Sequence, residues 1–210
     1  MENLRLWDDI EAGDEAFRLL DDPISRKRSW SPRKIFLHGN HEHRLTRAID
    51  ANPQQLEGVV SLDDLDSRDW EVHPFLEPVV VDGVHYAHFW YRPMSGRPYS
   101  GSPDLRLRHL GFSAVQGHEQ GLQWATRYTG GRNQNFLVAG SCYPFHSQAE
   151  YRGPQAGLSD PQRPGHWNGV VVLNECDGEG GFDICTVSLD YLCRKYAGMS
   201  LPKWVAKVSK

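Results

Sequence analysis

The stretch Lys34–Leu45, KIFLHGNHEHRL, restricts what this chain can become more than any other. A short apolar run stops at Gly39, and apolar residues resume at helical spacing at Leu45, Ala48 and Ile49, which predicts strand, tight turn and helix. Asn40 and His41 then stand at the tip of the strand, after a glycine that lets the backbone come close to a ligand. Ligands of open α/β sheets bind outside the carboxyl ends of strands. An amide oxygen beside an imidazole at such a tip therefore suits a metal-bound oxyanion. At average composition a Gly-Asn-His-acid tetrad arises by chance about once in a thousand chains of this size.

Upstream, Ile10, Phe17 and Leu20, with Leu6 one turn earlier, recur at helical spacing among acidic residues. They predict a helix over Asp8–Leu20, ended by Asp22-Pro23. Arg26, Lys27, Arg28, Arg33 and Lys34 follow as a solvated basic loop or, alternatively, a phosphate-facing patch. After the central helix, Asn52-Pro53 breaks the pattern, and Ser61-Leu62-Asp63-Asp64 reads as a helix start with a variant capping box.

Val79–Val81 and Val84–Trp90 flank Asp82-Gly83, a two-residue loop suited to a type I′ turn, and predict a hairpin. Alternation puts Val84, Tyr86 and His88 on one face and His85, Ala87 and Phe89 on the other. Only one of the two histidines can face a site. His88 is the candidate, because it ends the run just before the irregular Pro93–Pro103 segment.

Pro103–Leu110 predicts a short helix stopped by Gly111, and Phe112–Val115 a buried strand that delivers Gly117-His118 to its tip. Gln123–Tyr128 and Phe136–Val138 read as a hairpin around Thr129-Gly130-Gly131, and Val170–Leu173 pairs with Phe182–Leu189 around a Gly-rich acidic loop. Asp177, Glu179 and Asp183 in that loop fit no EF-hand spacing and read as a solvated turn. Pro144–Trp167, rich in Pro, Gly and Gln, reads as a surface excursion. The tail from Leu201, with Lys203, Lys207 and Lys210, reads as a frayed basic end.

Composition excludes several classes. With 39% hydrophobic and 24% charged residues, 210 residues suit one globular domain spanning the whole chain rather than a disordered one. The apolar runs are too short for a membrane span and the first thirty residues too polar for a secretory signal, which points to the cytoplasm. Cys142, Cys176, Cys185 and Cys193 lack C-x-x-C spacing and read as buried, reduced thiols. A net charge of −4 argues against broad electrostatic capture of nucleic acid.

GNHE after a strand resembles the central motif of the calcineurin-like metallophosphoesterases. That family carries, in order, Asp-x-His, Gly-Asp-x-x-Asp, Gly-Asn-His-Asp/Glu, a lone strand-end His and Gly-His-x-His. Here the third motif is Gly39–Glu42, the fourth is His88, and the fifth is Gly117-His118-Glu119-Gln120. The first two have no counterpart, and Gln120 stands where the last His belongs. The resemblance implies an α/β (α+β) fold, a sandwich of two mixed β-sheets flanked by helices, lacking its first strands. A sheet edge opened in this way invites an oligomer or a partner chain that supplies them.

The resemblance also implies a ligand set. One metal of the family's pair is held by the Asn of GNH, the lone His, the first His of Gly-His-x-His and a bridging Asp, so Asn40, His88 and His118 keep three of four ligands. The ligands of the other metal are absent. His41 inherits the role of polarising the phosphate or protonating the leaving oxygen, for which an imidazole is suited. Arg44, one turn on, is placed to meet a phosphate or to remain a solvated charge; His38 and His43 read as bystanders.

The implied cofactor is a divalent cation, Mn²⁺, Zn²⁺ or Fe²⁺, at one of the usual two sites. Without a carboxylate, such a site favours a borderline ion such as Zn²⁺ over a hard one. Substrates implied are phosphorylated small molecules or nucleic acid, with no membrane. Three readings follow: a metal-dependent phosphoester hydrolase, slow or inactive as this chain alone; a non-catalytic binding or assembly module on the same fold; and a histidine-rich structural protein in which GNHE is coincidence. The ordered trio GNHE, His88 and Gly117-His118 argues against the last.

Overall fold

A computed structural model describes residues 2–142 and 166–208, as a mixed α/β chain. The expected excursion at Pro144–Trp167 lies, up to residue 165, outside the described residues. Two compact units divide at Glu77 and Pro78.

In the first unit, helix α1 (Glu2–Arg26) runs past Asp22-Pro23 instead of ending there. Pro23 stands in the last turn, so its missing N–H and its ring leave only one turn to complete after it. Phe17, 6% exposed, packs edge-on against Phe36 of strand β1 (Ile35–Leu37) at 4.9 Å and against Trp70 at 5.4 Å. Gly13 allows close packing, since a Cβ there would lie 2.7 Å from Leu65 Cδ1. β1 pairs in parallel with the short β2 (Glu71–His73) and with no other strand among the described residues.

The basic loop is engaged in ion pairs. Arg33 grips Glu71 through two 2.8 Å bonds, and Lys34 reaches Asp69 and, at 3.0 Å, Asp21. Asp21 is 3% exposed and also accepts from Trp70 Nε1 at 3.0 Å, so its charge is compensated where it is buried. Arg33 first, and then His73, hold the Glu71 carboxyl down to about 2. Helix α2 (Glu42–Ala51) ends at Asn52, which also begins the one-turn α3 (Pro53–Leu56). The capping box at Ser61 forms, with Asp63 N–H donating to Ser61 Oγ at 3.0 Å and Ser61 N–H to Asp64 Oδ2 at 2.7 Å. It caps only a single 3-10 turn, Leu62–Asp64, and no longer helix.

The second unit is built on a five-stranded sheet with order β3-β4-β5-β7-β6. β3 (Val79–Val81) and β4 (Val84–Ala87) form the expected hairpin, with positive φ at Asp82 (50°) and Gly83 (73°) as a type I′ turn requires. β4 ends at Ala87 rather than Trp90. α4 (Pro103–Leu110) has the expected ends: Ser102 Oγ accepts from Leu105 N–H, and Gly111 closes it in the left-handed region. β5 (Ala114–Gln116) starts two residues later than Phe112 and pairs in parallel with β4 and with β7 (Arg132–Ala139). β6 (Leu122–Thr129) completes the second hairpin. Leu107, Ala114, Phe136 and Val138, all 0% exposed, form the core under Trp90, Leu110 and Phe112.

β8 (Gly169–Asn174) and β9 (Asp183–Ser188) make a separate two-stranded sheet. The acidic loop between them is a structural turn: Asp177 Oδ1 accepts from Glu179 and Gly181 N–H at 2.8 Å each, and these bonds hold its carboxyl below the usual range. A Cβ at Gly83 would lie 2.6 Å from Gly178 O, so the β3–β4 turn and this loop meet backbone to backbone. From residue 201 to 208 the tail is helical rather than frayed, and Lys210 lies outside the described residues. α5 (Leu189–Ala197) leads into α6 (Leu201–Val208), whose Leu201 and Val205 are buried while its lysines face outward. The thiols are free as expected, but Cys142, Cys176 and Cys185 are exposed rather than buried. No helix among the described residues is long and apolar enough to cross a membrane.

Candidate functional site

The GNHE turn lies at the carboxyl end of β1 in the first unit, as its sequence predicts. Glu42 explains its own place in the motif: its Oε2 accepts from Gly39 N–H at 2.7 Å, closing the turn. Gly39 O in turn accepts from His43 N–H at 3.1 Å, so the first helical bond springs from the glycine. Asn40 and His41 ride on this clamped turn. The His41 ring makes no capping bond and is exposed. Of the expected bystanders, His43 stacks on Phe75 at 4.8 Å, and burial pushes the His38 imidazole down, against the opposing pull of Glu42.

His88 and His118 come together in the second unit. They follow the carboxyl ends of β4 and β5, which are parallel neighbours in register from His85–Ala114 to Ala87–Gln116. Topology alone therefore sets both imidazoles on one sheet edge. His88 Nε2 and His118 Nδ1 lie 3.1 Å apart, and the ring of Phe89 lies 5.0 Å from that of His118. His118 has φ of 62°, a left-handed conformation that a non-glycine residue adopts at a cost of about 1–3 kcal/mol. Such strain persists only where the surroundings fix it.

A buried polar cluster supplies that fixing. Arg106 of α4, 4% exposed, forks onto Glu119, the residue after His118, through both terminal nitrogens. Its Nε donates to Gly101 O at 3.1 Å. Gln116, 2% exposed, donates to Glu119 Oε1 at 3.1 Å and accepts from Trp90 N–H at 3.4 Å. One cluster thus ties the chain just after His88 to the chain just after His118. Sequence reading missed Arg106, Gln116 and Glu119; the signal was an arginine on the helix between the two histidine-bearing strands.

The two imidazoles fit half of a metal site. With bonds of about 2.05 Å, two nitrogens 3.1 Å apart subtend an angle of about 98° at a shared ion, between octahedral and tetrahedral values. Two neutral nitrogen donors suit Zn²⁺ better than Mn²⁺. Among the described residues no group of three or more His, Cys, Asp or Glu side chains is placed to hold a metal ion. Gln120, two residues after His118, has its Oε1 buried with no hydrogen-bond partner among the described residues. Compared with protein-family models, with curated proteins and with solved structures, the chain matches none.

Proposed function

We propose that this chain is a calcineurin-like, metal-dependent phosphoester hydrolase in which His88 and His118 hold a divalent cation; the resemblance assigns Asn40 to the ligands and His41 to the phosphate. The observation that carries the reading is the His88–His118 pair, 3.1 Å apart beyond the carboxyl ends of two adjacent parallel strands. The part of Asn40 rests on the GNHE motif. The cation, when bound, would supply Lewis-acid polarisation of a phosphoryl oxygen. His88 and His118 would hold it through Nε2 and Nδ1, giving up the contact they make with each other. His41, exposed on the GNHE turn, would hydrogen-bond the phosphate and pass a proton to the leaving oxygen. A sandwich of two mixed sheets is the fold that this reading implies.

The carboxylates that bridge a metal pair have no counterpart in this sequence and would have to come from another polypeptide segment. This favours a second reading, a non-catalytic module that keeps one cation. Calorimetry with Zn²⁺ and hydrolysis of bis(p-nitrophenyl) phosphate with Mn²⁺ separate the two. Binding of one ion per chain, lost in His118→Ala, with slow or no turnover is expected. Brisk turnover abolished by His41→Ala would establish the enzyme, and unchanged metal binding in His118→Ala would remove the site altogether.

A further inference from the structure

The first unit holds a cavity of about 740 Å³, within the range of about 300–1,000 Å³ of small-molecule sites. Its walls are apolar: Phe17 and Leu20 of α1, Leu45 and Ala48 of α2, and Trp70. α2 carries an apolar face, yet none of its residues is buried, and Leu20 remains 57% exposed. Each square ångström of such surface left wet forgoes about 25 cal/mol. The polar side chains of the lining are His41, Glu42 and Arg44, at the N-terminal end of α2, and Ser61. Glu42 is committed to Gly39 N–H and the Ser61 hydroxyl to Asp63 N–H. His41 and Arg44 remain, and among the described residues no carboxylate pairs with Arg44. Two nitrogen-bearing side chains from the N-terminal end of α2, in the wall of an apolar cavity, complement an anion joined to a hydrocarbon.

We propose that this cavity takes an alkyl phosphoester, with its chain against Leu20, Leu45 and Ala48 and its phosphate at His41 and Arg44. The proposal rests on the reading of GNHE as a phosphate-handling turn and narrows the substrate class to esters of aliphatic alcohols. A nucleobase fits poorly, because its polar edges would be buried against walls that offer few partners.

The test is calorimetric titration of the full chain with decyl phosphate below micelle formation, without added metal. Decanol, inorganic phosphate and AMP serve as comparisons. Decyl phosphate should bind, with decanol and phosphate each weaker by about tenfold or more. Ala48→Trp, which fills the cavity from a half-buried position, should abolish binding, and Leu45→Trp should do the same by a second route. Arg44→Ala should weaken it by about tenfold, the loss of one charge-assisted hydrogen bond. No binding, decanol equal to decyl phosphate, AMP equal to decyl phosphate, or indifference to both tryptophan variants would each overturn the proposal. With no metal in the titration, failure of metal-dependent hydrolysis leaves this result standing, and failure here leaves the histidine pair untouched.

Discussion

The two units are stabilised in different ways. Of the buried apolar side chains among the described residues, twelve belong to the second unit and two, Phe17 and Val60, to the first. The second unit is ordered by dense packing across a sheet. The first relies on one aromatic contact set around Phe17 and on a compensated charge, Asp21 with Lys34 and Trp70. A unit with so thin a core keeps apolar surface available for other uses, and its cavity is where that surface lies.

The largest expected effect tests the packed unit. Phe136→Ala, at a fully buried position, should destabilise it by about 3–5 kcal/mol in urea unfolding followed by circular dichroism. A loss under about 1 kcal/mol would mean that the sheet's core tolerates a void, and the contrast with the first unit would collapse. The charge centre comes next. Lys34→Met leaves Asp21 buried without its ammonium, and should lower the urea midpoint further than Lys34→Met with Asp21→Leu. Equal losses in the two would show that the pair is not the organising feature of the first unit.

Arg106→Lys sharpens the comparison at the histidine pair, where packing is replaced by a polar clamp. Lysine keeps the charge and loses the fork on Glu119, so Zn²⁺ affinity should fall by about tenfold, as for other partners that orient metal ligands. A variant with the same midpoint shift elsewhere in the sheet, such as Val84→Ala, should leave affinity unchanged. Glu71 gives the smallest effect. Its folded value of about 2 lies below the ordinary 4.5, so its contribution is complete above pH 4.5 and is lost as pH falls toward 2. Glu71→Gln should flatten that part of the stability profile of the first unit, slightly, since the pair is solvated.

Legibility followed locality. The Asp82-Gly83 and Gly130-Gly131 turns, both at positive φ, the two ends of α4 and the strand–turn–helix at GNHE are written in neighbouring residues, and all formed. β2 was not foreseen, because three residues paired in parallel with a strand far upstream carry no periodic signal. The tail was misread for another reason. Leu201, Trp204, Val205 and Val208 do follow helical spacing, and two of the lysines that implied fraying, Lys203 and Lys207, are the wet face of α6. The His88–His118 approach needed the parallel register of β4 and β5, whereas each histidine's place at a strand end did not. The Arg106 cluster is a property of three segments at once.

The strand order β3-β4-β5-β7-β6 also bears on how the second unit assembles. Each outer pair is a hairpin closed by a two-residue turn, and such pairs form in about 1–10 μs. β5 belongs to neither hairpin, and among the described residues its three residues make the only pairings that join them. Both joints are parallel and span long stretches of chain, so their loop-closure entropy must be met before any contact repays it. Insertion of β5 is the step that turns two independent ribbons into one sheet, and the same step brings His118 beside His88. The histidine pair comes into being with the pairing of β5 to β4, and no form of this unit in which those two strands are apart can carry it.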